Sequence, residues 1–463
     1  MKYVSTRGSA PDLSFADVVM TGLARDGGLY VPETWPQISR QDLASFGKLT
    51  YPELAVRILT PFVGDDISPD VFENIVFDAY SGFSNDLIAP LHQIGPDHWV
   101  MELFHGPTLA FKDVAMQFIG PLLSHLLVER NLTATIIGAT SGDTGSAAIE
   151  ALRGRDGLDV FIFHPKGRVS EVQRRQMTTV LDDNIHNIAI EGTFDDAQAI
   201  VKALFNDAAF RDERNLSAVN SINWARIMAQ CVYYFSSSIA LGGDDDRRIN
   251  FSVPTGNFGD IYAGYAAKQM GAFVGQLIIA TNVNDILMRC VTTGRYDVQN
   301  VVPTMSPSMD IQVSSNFERL LYSAGGRDAG KVVGQMKSLS ETGAFLVDNL
   351  SLSEIRKDFS AIRVDEAKTA ATIEKFFTAQ SYLMDPHSAV GVAATAEDNQ
   401  DGPTVSLSTA HPAKFPAAVQ KAVGVVPDLP SHLSDLFERE ERFFELPNDV
   451  DLVKEFIRQR SPT

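Results

Sequence analysis

The sequence predicts an α/β protein built on parallel sheet. Three observations carry this reading. From about residue 94 onward, short β-branched runs alternate with helical runs, the pattern of strands joined by crossover helices. The strand-like runs are continuously apolar rather than alternating, as strands covered on both faces are. Glycine-rich turns stand where two of these strands meet their helices.

The elements follow in order. Residues 1–95 are mixed, show little strand signal and read as a small N-terminal domain. They open on a short strand candidate, then take helical spacing over 15–23, then turn at Asp26-Gly27-Gly28. Two further helical stretches lie near 51–62 and 69–80. In residues 96–463 the strands are expected at 133–137, 158–164, 187–191, 250–253 and 277–281. Helices are expected at 146–153, 169–178, 195–206 and 260–270. The helix at 195–206 carries two acids in its first turn, where the helix dipole favours them. Residues 242–248 and 325–330 read as linkers or exposed loops.

A chain of 463 residues suits two or three domains and buries a large core. Hydrophobic content of 44% and charged content of 21% are those of an ordinary globular protein. The formal net charge of −19 repels nucleic acid and anionic membrane, so neither is an expected partner. An anionic substrate must therefore enter through a locally positive pocket. The two cysteines, Cys231 and Cys290, build neither a disulfide framework nor a metal site and read as reduced core thiols. No His-Glu-x-x-His pattern occurs, so no metal is expected. With no signal-peptide pattern at 1–8 and no membrane-length apolar run, the chain reads as cytoplasmic.

Two turns are candidate anion-binding loops. One is Gly138-Ala139-Thr140-Ser141-Gly142-Asp143-Thr144-Gly145-Ser146; the other is Pro254-Thr255-Gly256-Asn257-Phe258-Gly259-Asp260. Unpaired backbone N–H groups at a helix start bind phosphate or carboxylate. Each loop alone is equally well an ordinary turn, with Gly for positive φ and Ser, Thr or Asp as caps. Neither is a P-loop, and neither has the dinucleotide spacing, which disfavours a nicotinamide enzyme.

Lys112 lies in the most unusual stretch, 104–113, between Phe111 and an amphipathic helix with Val114, Met116, Phe118 and Ile119. A lysine desolvated by such neighbours loses proton affinity and offers a free amine as nucleophile or base. The residues alone favour a surface lysine paired with Asp113 at a helix start, since most lysines are solvated.

Taken together these segments resemble the fold-type II, tryptophan-synthase-like, pyridoxal-phosphate (PLP) enzymes, and within them the threonine synthase family. The resemblance rests on His105-Gly106-Pro107-Thr108-Leu109-Ala110-Phe111-Lys112-Asp113, on Thr140 to Ser146, on Gly256 to Asp260, and on Ser408-Thr409-Ala410-His411-Pro412-Ala413-Lys414-Phe415. Ser5-Thr6-Arg7-Gly8 and Asp26-Gly27-Gly28-Leu29 are similar to that family's amino-terminal domain. Relatives of the cysteine-synthase type carry Asn where Asp143 stands; the aspartate is similar to the longer threonine synthases of yeast and many bacteria.

The resemblance implies two open twisted parallel-sheet lobes with PLP between them, preceded by the small N-terminal domain. It implies that Lys112 carries PLP and then acts as a base at the substrate carbons. It implies that Gly256, Asn257, Phe258, Gly259 and Asp260 cradle the cofactor phosphate. Asp260 should contribute its N–H or cap its helix, since its charge repels phosphate. Thr409 is implied as the hydroxyl partner of the pyridine nitrogen. Thr140, Ser141, Gly142, Asp143 and Thr144 should hold the substrate carboxylate, with Asp143 orienting a loop element or the cofactor hydroxyl. The leaving phosphate needs cations, for which Arg226, His411 and Lys414 are candidates; Arg226 equally reads as a solvated helix residue. His105 and 385–388 are weaker candidates, for bracing or lining the site. The implied reaction turns O-phospho-L-homoserine and water into L-threonine and phosphate. A dehydratase, with no need for both Lys414 and Arg226, and a non-enzymatic paralogue, without the Lys112 absorption band, are the alternatives. Oligomeric state, monomer or homodimer, is left open.

Overall fold

The computed structural model describes residues 1–140, 142–218, 221–398 and 401–461. Two parallel sheets organise it. The smaller has the order Phe444–Leu446, Ile185–Ile190, Leu158–Pro165, Ala134–Ala139, Leu216–Ser217, all parallel. The larger runs Phe359–Arg363, Val274–Thr281, Ile249–Pro254, Thr404–Ser408, His98–Glu102, Leu91–Gly95. Its strands are parallel except for the antiparallel pair at the Leu91–Gly95 edge.

The inner strands form where the sequence is β-branched and apolar, and they are covered on both faces. Every residue of Ile185–Ile190 is buried, and Leu158–Pro165 is buried at all but one position. The predicted strands and helices are present, with ends moved by a few residues; the helix expected at 146 already begins at Asp143. The hairpin Leu91–Gly95/His98–Glu102 was not anticipated and spans residue 95, so the large sheet reaches back across that position. Gly330 lies not in a loop but inside the helix Ala329–Thr342, which Asp328 caps.

The N-terminal part contributes the antiparallel pair Tyr3–Ser5/Tyr30–Pro32 and the helices Phe15–Thr21, Arg40–Phe46, Tyr51–Val63 and Pro69–Tyr80. Its apolar faces do not close on themselves. They join one core with the helices Lys112–Glu129 and Trp224–Ala240, centred on buried Trp224 among Tyr3, Trp35 and Phe62. Cys231 and Cys290 are buried and free. No helix among the described residues is long and apolar enough to cross a membrane.

Gly120 positions two functional helices. A Cβ there would stand 2.1 Å from the carbonyl oxygen of Ala151, so glycine lets Lys112–Glu129 pack closely on Asp143–Leu152. The lysine and its acidic neighbour are thereby brought to one place.

Candidate active site

Lys112, the first residue of its helix, lines a cleft of about 1090 Å³. Both candidate loops, at the carboxyl ends of Ala134–Ala139 and Ile249–Pro254, line it as well. Phe111 N–H donates to Thr409 O at 2.8 Å, and Ala110 bridges Ala410, so the lysine segment is stitched to the end of the central strand Thr404–Ser408.

Lys112 Nζ donates to Asp143 Oδ2 at 3.2 Å and lies 4.9 Å from the Phe111 ring centre. Burial pushes the amine below the ordinary lysine range. The Asp143 carboxylate opposes this, and Lys414 and Arg226 reinforce it. Asp113, the alternative partner, is turned away and receives Thr108 N–H at 2.8 Å and Thr108 Oγ at 2.6 Å. Burial raises the Asp143 carboxyl, but Lys112 and Lys414 outweigh burial and hold it well below the usual range. Asp143 Oδ1 also accepts from Gln173 Nε2 at 2.9 Å.

The second loop leaves its donors free. The backbone N–H groups of Gly256, Asn257, Phe258 and Gly259 have no acceptor among the described residues. Phe258 takes the left-handed conformation at φ +65° to start the helix Gly259–Gln269. A Cβ at Gly256 would stand 2.8 Å from Ser308 O, so only glycine permits this turn. The Asp260 side chain avoids the anion cradle: its Oδ1 accepts from Tyr233 at 2.5 Å and Tyr234 at 2.9 Å. Burial raises its carboxyl to about 6, against those hydrogen bonds.

In the first loop, Thr140 Oγ accepts from Gly142 N–H at 3.0 Å and Gly145 N–H at 2.9 Å. The Gly142 amide is therefore spent on the turn, contrary to expectation. Thr140, Asp143 and Thr144 line the cleft; Ser141 lies outside the described residues.

The three expected cations separate. Arg226 lines the cleft, buried, with Nη1 unpartnered among the described residues; burial pushes its guanidinium down to about 10. Lys414 is fully buried and spent internally, 3.0 Å from Asp143 Oδ1 and donating to Thr108 O at 2.6 Å. It acts on the site through Asp143. His411 is not among the residues lining the cleft; it packs edge-on to Phe104, accepts from Ala413 N–H, and burial lowers it to about 4, which keeps it neutral. His105 binds Glu102 at 2.8 Å and so braces the strand end. Gln173, Ser308 and His387 also join the network. No local pattern marked the first two, because their partner Asp143 is remote in sequence.

The donors fit a phosphorylated aldehyde such as PLP: a buried amine, free amides beside a close-packed glycine, and Thr409 in the lining of the same cleft.

Comparison with known proteins agrees along the whole chain. A model described as "Threonine synthase N terminus" matches residues 2–80, "Pyridoxal-phosphate dependent enzyme" matches 86–345, and "Threonine synthase, C-terminal" matches 388–457. A threonine synthase of Pseudomonas aeruginosa is 53% identical, with 99% of this chain and 98% of that protein covered. One from Saccharomyces cerevisiae is 44% identical, over 99% and 97% of the two chains. The crystal structure of PLP-bound threonine synthase from Brucella melitensis superposes with a TM-score of 0.98 at 53% identity, over 100% of both chains. Similarity of this extent, on this fold and with the lysine segment placed in the cleft, leads to one conclusion: the chain belongs to the threonine synthases, PLP-dependent enzymes of fold-type II.

Proposed function

We propose that the chain converts O-phospho-L-homoserine and water into L-threonine and phosphate, the final step of threonine biosynthesis. The observation that carries this is Lys112, a desolvated amine set across one cleft from a free-amide loop and from Arg226, whose Nη1 is unpartnered among the described residues. In this reading Lys112, the amides of 256–259 and Thr409 hold PLP. When bound, the cofactor supplies an electron sink for charge developed at the substrate carbons.

The chain's own residues place the substrate and move its protons. Lys112 Nζ removes the α-proton and returns it at the end of the cycle. It takes a proton from the β-carbon as the γ C–O bond breaks, with that bond's electron pair leaving on phosphate, and then delivers a proton to the γ-carbon. Arg226 receives the departing phosphate with a charge-assisted hydrogen bond. The hydroxyl of water ends on the β-carbon and its proton on phosphate. Thr140 and Thr144, which line the cleft, orient the substrate carboxylate. Asp143 steadies the lysine and is itself held by Lys414. Residues 1–95 act as an N-terminal unit supporting the catalytic region 96–463. A cytoplasmic location fits this role.

The test is release of phosphate and threonine from O-phosphohomoserine by wild type and Lys112→Ala side by side. Wild type should release both in equal amounts, and the variant should lose activity by about a thousandfold or more. Phosphate without threonine would move the reaction to another elimination.

A further inference from the structure

The sequence stretch Asp385-Pro386-His387-Ser388 has no part in the reaction as described, yet it reaches the cleft from behind. Asp385 caps the helix Pro386–Thr395, accepting from the N–H of His387 at 2.9 Å and of Ser388 at 3.2 Å. Its Oδ1 also faces His387 Nδ1 at 2.8 Å. On the other side of the ring, Ser308 N–H meets His387 Nε2 at 3.1 Å. A carboxylate on one nitrogen and an N–H on the other leave one consistent arrangement: the proton on Nδ1 and a lone pair on Nε2. The ring is buried, 4.7 Å from the ring centre of Phe415.

That ring anchors the short turn Pro307–Met309, which lines the cleft. Ser308 faces three ways there. Its N–H is held by His387, its carbonyl abuts Gly256, and its Oγ donates to Asp143 Oδ2 at 3.4 Å. This is the same carboxylate oxygen that Lys112 Nζ contacts at 3.2 Å. The other oxygen is occupied by Lys414 and Gln173. The charged groups acting on Lys112 are Asp143, Lys414 and Arg226, with Asp260 feeling it in turn. Among these neighbours of Asp143, Ser308 is a neutral donor on the oxygen the lysine uses.

Resting on the reaction proposed above, we infer that Ser308 is a positioning residue for Lys112: held by the Asp385–His387 pair, it shares Asp143 Oδ2 and so limits how strongly that carboxylate keeps a proton on the lysine nitrogen. Removing the hydroxyl leaves the carboxylate less satisfied and strengthens its hold on the nearby positive charge. Loss of the His387 acceptor releases the turn and acts in the same direction.

The experiment is a pH titration of the visible absorption band of the PLP-loaded enzyme, with the pH profile of phosphate release beside it. Ser308→Ala should move the band's transition and the acid limb of kcat upward by about half a pH unit or more. His387→Leu should do the same, and His387→Gln, whose amide oxygen can receive the Ser308 N–H, should return towards wild type. Ser308→Cys, a weaker donor of similar size, should fall between wild type and alanine and serves if the alanine variant does not fold. Titrations of Ser308→Ala or Ser308→Cys that overlay wild type would overturn the inference. The spectral titration needs no substrate, so it decides this point even if wild type released no phosphate, a result that would count against the reaction alone.

Discussion

Two buried arginines, Arg319 and Arg226, define two kinds of region. Burial pushes both guanidiniums down to about 10. At the junction of the N-terminal part with the large lobe, Arg319 donates to Tyr30 O at 3.1 Å, to Ile222 O at 2.6 Å and to Asn316 Oδ1, and lies over the Trp224 ring. At the cleft, Arg226 Nη1 has no partner among the described residues. A desolvated charge whose donors are met by carbonyls is architecture. The same charge left unmet is costly to the empty protein and persists where a ligand completes it. Asp260 is the intermediate case, with Oδ1 taken by two tyrosines and Oδ2 unmet among the described residues.

The comparison is broken most directly at Arg319. Arg319→Met strands the Tyr30 and Ile222 carbonyls and should cost about 3–5 kcal/mol of stability in denaturant unfolding. Activity per folded molecule should stay near wild type. Arg226→Met should do the opposite. Phosphate release should slow about 10²–10³-fold, with no fall in thermal midpoint, since a buried charge whose Nη1 is unmet among the described residues is removed. If both variants lose stability and neither loses activity specifically, the division between the two regions fails. The smallest effect is expected at Asp260. A carboxyl raised to about 6 in the folded state gives its full stabilisation below its unfolded value and loses it as pH rises through about 6. Asp143, held low, weakens the fold only at more acidic pH. Wild type should therefore lose a few degrees of thermal midpoint between about pH 4 and 6 that Asp260→Asn does not lose.

Much of this was legible in the sequence for a physical reason. Strands covered on both faces leave unbroken apolar runs, and anion loops need glycine at fixed places, so 158–164 and Gly256-Asn257-Phe258-Gly259 could be read locally. The hairpin at 91–102 was not read because Leu91–Gly95 is an edge strand, largely exposed and polar at His92 and Gln93. Among the cations, Arg226 lines the cleft, but Lys414 and His411 share a motif whose residues turn different ways. Whether a lysine meets a substrate or a buried aspartate depends on a residue 271 positions away in the Lys414–Asp143 pair, which no local pattern records. Gln173 and Ser308 escaped for the same reason.

The strand Thr404–Ser408 is contributed near the end of the chain, yet it lies between Ile249–Pro254 and His98–Glu102 in the middle of the large sheet. Until it inserts, that sheet is two separate halves, and Phe111 lacks the Thr409 carbonyl that stitches the lysine segment in place. On the ribosome the polypeptide therefore remains without a finished cofactor pocket until residues 404–409 have emerged. The yellow colour of a newly made molecule then reports that the strand Thr404–Ser408 has found its place, and a product terminated before it is left pale, with an open seam for chaperones or proteases to recognise.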